Sequence, residues 1–106
     1  MTTRVRVLLY ATAPADSPDA VARVYHQISE ALLGTPGLLR NELLSGVDKP
    51  DSFVVLSEWE SEEAFFEWER GADHRQVTAP LRPYQDAGWR DAFGVYRVAG
   101  DYTAVG

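Results

Sequence analysis

Two hydrophobic periods succeed one another along the chain, and their order restricts the fold more than any other feature. RVRVLLYATA alternates, with Val5, Val7 and Leu9 on one side and Arg4, Arg6, Leu8 and Tyr10 on the other, the period of a strand. Ser17-Pro18-Asp19 then predicts a helix start: a hydroxyl cap, a proline where no donor is lost, and an acid at the positive end. Val21, Val24, Tyr25, Ile28 and Leu32 come next at helical spacing, and Gly34 suits a left-handed stop. LLRNELLSG and SFVVLSEW read as strands joined by the turn-forming VDKPD, a hairpin.

Ser61 caps the next predicted helix, with Glu62 and Glu63 in its first turn, and Phe65, Trp68 and Ala72 share its inward side. Gly71 is expected to loosen the middle of that helix. Pro80 and Pro83 are expected to break its continuation into pieces, with Val77, Leu81 and Tyr84 extending the buried side. WRDAFGVYRVA supplies a last strand, and residues 100–106 a tail. The order β-α-β-β-α-β is the ferredoxin-like split βαβ plan of an α+β protein, an antiparallel sheet with two helices on one face. At 106 residues this is a single domain, with a core over about 4–99. Leu8, Tyr10, Val54, Leu56, Tyr96 and Val98 put more apolar surface on the sheet than one covered face hides, which predicts a homodimer joined sheet to sheet.

Composition narrows the chemistry. Apolar residues are 45% and charged residues 25%, ordinary globular usage, and runs such as VLLYA and FVVL are too short to cross a bilayer, so no membrane role is expected. MTTRVRV shows no secretory pattern, and the expected location is the cytoplasm. There is no cysteine, which removes disulfides, thiolate nucleophiles and sulfur-ligated metals. The formal charge is −6, and nine Arg and one Lys are scattered, which disfavours nucleic acid. No phosphate loop, HExxH, GxSxG or EF-hand pattern occurs, and His26 and His74 are too few and too far apart for a metal site of their own.

The candidate residues each carry a plain structural alternative. His26 falls on the outer side of its helix, whereas His74 comes after Gly71, where a bend can aim it between helix and sheet, and is otherwise a surface or capping histidine. Trp59 and Trp68 are core residues unless a pocket lies beside them. SEWESEEAFFEWE holds six carboxylates, read mainly as a solvated face, with Glu58 the possible exception. Arg40 and Asn41 are neighbours on a strand, so one of them points to an apolar face; an Arg40 pair with Glu42 or Glu58, or an anion-holding role, would account for it.

Taken with PGLLRNELLSG, FVVLSEWESEEAFFEWE and GADHR, the pattern over residues 4–99 resembles the antibiotic biosynthesis monooxygenase family of dimeric α+β barrel proteins, most specifically through W-E-S-x-E-A-F at residues 59–65. The resemblance implies a hydrophobic pocket between helices and sheet. In the aromatic polyketide branch it implies oxidation of a phenol or anthrone to a quinone by O2 with no cofactor, neither metal nor flavin. Trp59 matches the family's tryptophan at the strand end. Phe65 and Val55 stand where a quinone-forming relative has a tyrosine and an asparagine, which leaves other groups, such as Arg40, His74, Arg82 or Tyr84, to supply the polar contacts. A haem-degrading branch shares Trp68, but Asn41 is on the second strand and Thr78 stands ten residues after Trp68, so haem chemistry is not expected.

The expected function is therefore a cofactor-independent monooxygenase acting on a polycyclic aromatic intermediate of polyketide antibiotic biosynthesis, with O2 and the small aromatic substrate as its partners. The expected catalytic residues are His74 as base and Arg40 or Arg82 holding the phenolate; Trp59, Phe65, Trp68, Tyr25, Val55 and Tyr84 would bind the substrate. A non-oxidative polyketide cyclase or isomerase, or a dimeric binding module without activity, are the alternatives.

Overall fold

The computed structural model describes residues 3–71, 74–86 and 93–102, with the backbone alone for His74, Arg75 and Phe93. Its elements are β1 (Val5–Thr12), α1 (Ala20–Leu32), β2 (Leu38–Ser45), β3 (Ser52–Trp59), α2 (Glu62–Arg70), α3 (His74–Thr78), a 3-10 segment (Ala79–Tyr84) and β4 (Phe93–Arg97). The strands form one antiparallel sheet in the order β2-β3-β1-β4, the ferredoxin-like arrangement expected from the sequence. Trp89 and the rest of residues 87–92, expected within the last strand, lie outside the described residues.

The period of two decides the two faces. β1 sends Val5, Val7, Leu9 and Ala11 toward the helices, and their register partners Trp59, Ser57, Val55 and Phe53 on β3 point the same way. The buried side chains fall into two clusters. Ala11, Ala13, Val21, Ile28, Phe53 and Leu81 pack between α1, the 3-10 segment and one end of the sheet. Val5, Val7, Trp59 and Phe65 pack under α2 at the other end. Trp59 is 1% exposed, with its ring against Phe65 (centroids 5.5 Å apart, edge to face) and Trp68 (5.3 Å). Truncating an aromatic side chain so buried costs about 3–5 kcal/mol.

β2 does not alternate cleanly. Leu38 pairs with Trp59 but Arg40 pairs with Glu58, so two steps on β2 match one on β3, a bulge around Leu39. Beyond it Asn41, Leu43 and Ser45 pair with the inward Ser57, Val55 and Phe53. Arg40 and Glu42 belong to the other face, where they form an exposed ion pair at 3.5 Å, one of the two structural pairings the sequence suggested for Arg40. Glu58, on the same uncovered face, is 7% exposed and is held by Arg6 Nε at 3.1 Å and Arg4 at 3.7 Å. Around these charges Leu8, Tyr10, Val54, Leu56 and Val98 are half-buried and Leu44 and Tyr96 exposed, with none of the described helices above them.

Helix ends partly obey the sequence signals. Ser61 Oγ accepts the Ala64 N–H at 3.1 Å, as a cap should, with Glu62 and Glu63 in the first turn. α1 begins at Ala20 rather than at Ser17: Asp19 is the N-cap and makes no side-chain cap bond, while the Ser17 carbonyl closes a preceding turn to Ala20 N. Gly71, expected inside a helix, instead terminates α2 in an extended conformation, its N–H returning to Trp68 O. Gly34 and Gly37 both have φ of +83°. At Gly37 a Cβ would stand 2.4 Å from Ala64 Cβ, so the chain entering β2 presses directly on α2, tied by Glu60 N to Gly37 O at 2.9 Å.

Removing the cap by Ser61→Ala should lower stability by about 1 kcal/mol, read as a shifted urea midpoint at unchanged slope. Gly34→Ala, with open space around it, should cost about 1–2 kcal/mol for the left-handed backbone alone. Gly37→Ala adds a collision to the same strain and should be clearly worse in the same denaturation series.

Candidate active site

At the seam between the two clusters lies a cavity. Its floor is the sheet, with Val7 and Leu9 from β1, Asn41 from β2, and Val55, Ser57 and Trp59 from β3. α1 contributes Tyr25, Ile28, Ser29 and Leu32; α2 contributes Phe65, Trp68 and Glu69; Thr78 and Leu81 complete the wall. The cavity volume is about 90 Å3; the wider empty space of about 710 Å3 includes open solvent at its mouth. Pockets for organic ligands run to about 300–1,000 Å3, so a fused-ring ligand would lie partly in the mouth or part the roof. Trp59, Phe65 and Trp68 pack against one another, yet they fill only one end of this space.

The wall is apolar except for a short run of hydroxyl, amide and carboxylate groups. Tyr25 and Ser29, one turn apart on α1, both reach Asn41: Tyr25 OH donates to its backbone carbonyl at 3.2 Å, and Ser29 Oγ donates to Oδ1 at 3.2 Å. Trp59 Nε1 donates to Ser57 Oγ at 2.9 Å, two residues back on the same strand face. Glu69 is half-buried at the wall and is the carboxylate of the acidic stretch that faces the pocket. Among the described residues no three His, Asp or Glu side chains gather as a metal-binding group.

Of the residues singled out in the sequence, Trp59, Phe65, Trp68, Tyr25 and Val55 come together at this wall. Tyr84 does not reach it; it is half-buried against the α1 cluster. Arg40 lies across the sheet, turned there by the bulge, and Arg82 is exposed on the 3-10 segment, so neither cation lines the pocket. The His74 side chain lies outside the described residues. His26 is exposed, edge-on to Tyr25. Asn41, Ser29, Ser57 and Glu69 were not singled out for this wall. Ser57 had a signal, a small polar residue among the inward Phe53, Val55 and Trp59; Glu69 had none apart from its five acidic neighbours.

Residues 4–79 match the family model described as antibiotic biosynthesis monooxygenase. Protein SchA of Streptomyces halstedii is 30% identical over 81 residues, which cover 76% of this chain and 21% of SchA. The 42.8 kDa protein in the whiE locus of Streptomyces coelicolor is 27% identical over 78 residues, 74% of this chain and 20% of that protein. The chain thus spans about a fifth of the length of these curated relatives. Among solved structures, SnoaB, a cofactor-independent oxygenase from Streptomyces nogalater, has a TM-score of 0.73 at 18% identity and 97% coverage of both chains. A conserved protein from Methanosarcina mazei Go1 has a TM-score of 0.74 at 16% identity, covering 91% of this chain and 93% of that one. At such identities the likeness is one of fold.

Filling the cavity without touching its polar groups tests whether it receives a ligand. Val55→Phe should keep the melting temperature near its original value, because the added ring enters open space. It should weaken binding of anthracene, monitored by quenching of Trp59 and Trp68 fluorescence, by about tenfold or more, ~1.4 kcal/mol.

Proposed function

The chain belongs to the antibiotic biosynthesis monooxygenase family, and on that premise we propose that its pocket binds a polycyclic aromatic intermediate of anthrone or phenol type and oxidises it to a quinone with O2, without a cofactor, in polyketide antibiotic biosynthesis. The observation that carries this reading is the composition of the wall: aliphatic side chains and the rings of Trp59, Phe65 and Trp68, with few polar groups. Such a site suits a flat, largely apolar molecule that must be oriented by one oxygen atom. The SnoaB likeness and the Streptomyces relatives point in the same direction.

The chemistry asks little of the protein. An electron-rich phenol or anthrone becomes able to reduce O2 once a proton is removed, so a base, a dry cavity and stabilisation of the anion suffice. The reacting CH2 gives up two hydrogens and gains one oxygen atom of O2; the other oxygen leaves as water. His74 is the proposed base, and Glu69 at the pocket wall is the second carrier for that proton. A copy of the same chain is proposed to cover the open sheet face around Leu8, Val54 and Leu56, and the cytoplasm is the proposed setting. Apolar Val55 and Phe65 favour one other reading, a binding module without activity; the remaining alternative, enolate-driven cyclisation of a poly-β-ketone chain, consumes no oxygen.

Metal-free protein incubated with a reduced anthrone should produce quinone absorbance in air and none under nitrogen; product without oxygen uptake would favour the cyclase. His74→Ala should lower turnover by about 10²- to 10⁴-fold at an unchanged melting temperature. Equal turnover would pass the base role to Glu69, to be checked with Glu69→Gln.

A further inference from the structure

With Arg40 and Arg82 both turned away, the pocket has no described cation to meet a substrate oxygen, yet its polar groups are not randomly placed. Asn41 and Ser57 are direct register partners on β2 and β3, both facing the cavity. Residues so opposed have Cβ atoms about 4.5–5.5 Å apart, close enough for the two side chains to reach one atom. Each is held from behind. Ser29 donates to Asn41 Oδ1, while Tyr25 binds the Asn41 carbonyl, so α1 fixes both the amide and the backbone that carries it. The indole of Trp59, which can only donate, occupies an acceptor lone pair of Ser57 Oγ.

One acceptor site on each oxygen of the pair is therefore occupied, while its donors are not. The two Nδ2 protons of Asn41 and the hydroxyl proton of Ser57 have no acceptor among the described residues. Both side chains are half-buried at an open-mouthed pocket, so these donors are free to meet water or an oxygen of a bound ligand.

We propose that Asn41 Nδ2 and Ser57 Oγ are a pair of uncharged donors that binds the carbonyl or phenolate oxygen of the substrate and stabilises the negative charge that develops there. The proposal rests on the reading of the pocket as an aromatic-substrate site. Two donors converging on one oxygen favour an aromatic ketone or an ionised phenol over a neutral phenol, whose own proton needs an acceptor. They also select against rings that carry no oxygen at that edge.

The test uses 2-hydroxyanthraquinone, whose absorbance reports its ionisation, with anthracene as the oxygen-free control. Bound to the original protein, the probe should ionise at lower pH than in solution, a preference of about tenfold for the anion. Asn41→Asp, nearly the same shape and still able to accept from Ser29, should abolish the preference. Ser57→Ala should reduce it and Ser57→Thr restore it, while anthracene binding changes by less than the anion preference does. Ionisation as in free solution, a shift that survives both Asn41→Asp and Ser57→Ala, or no probe binding at all would overturn the proposal. Oxygen uptake with anthrone, measured on the same proteins, separates the two readings. A shifted probe without oxygen uptake retires the oxidation and leaves the donor pair, whereas unchanged anthrone oxidation in both variants retires the pair and leaves the oxidation.

Discussion

Strands of eight residues run about 27 Å, whereas a nine-residue helix is about 14 Å long, so α2 roofs only half the length of the sheet beneath it. α3 and the 3-10 segment take over where α2 stops at Gly71, and α1 lies alongside over the other cluster. A roof in three pieces over a continuous floor has a seam. At this one the inward positions carry Ser29, Asn41, Ser57 and Thr78, side chains too small or too polar to close it. Interiors ordinarily pack to crystal-like density, and the gap persists because the residues beside it do not fill it.

The architecture was legible because each element states its period over several residues. Val5, Val7 and Leu9 on β1, the stripe from Val21 to Leu32 on α1, and Ser61 ahead of α2 all do in the structure what their spacing and chemistry imply. The aromatic part of the site was legible for the same reason: Trp59 ends a strand, and Phe65 and Trp68 share a helical face. What strict alternation misreads is β2. Counting by twos from Leu38 brings Arg40 and Glu42 inward; the extra residue at Leu39 reverses the parity and brings Asn41 and Leu43 in instead. Nothing in LLRNELL announces that bulge, so the residue with the more conspicuous chemistry, Arg40, was the natural choice for the site. The helix start fails differently: Ser17 is a good cap by type, but its carbonyl closes the Ser17–Ala20 turn that contains Asp19, and the helix begins only at Ala20.

The resulting pocket separates its tasks in space. Stacking surface sits at one end, where the buried Trp59 is rigidly held by Phe65 and Trp68, and hydrogen-bonding groups sit across the β2–β3 pair. Trp59 belongs to both parts, since its ring packs with the aromatics while its N–H orients Ser57. Val55, the inward neighbour of Ser57 on β3, is paired with Leu43, so polarity on the floor is confined to one cross-strand pair rather than spread along the strand.

The bulge also lies on an outermost strand of the described sheet, since β2 has β3 on one side and no strand among the described residues on the other. A flat, regular edge invites another chain to add on in register, the first step toward fibrous aggregation. The irregular step at Leu39 breaks the even spacing of the outward amides and carbonyls, and the charged Arg40 and Glu42 just beyond it would meet like charges in an in-register addition of the same strand. The same inserted residue that turns an amide into the cavity thus guards the margin of the sheet against runaway strand addition.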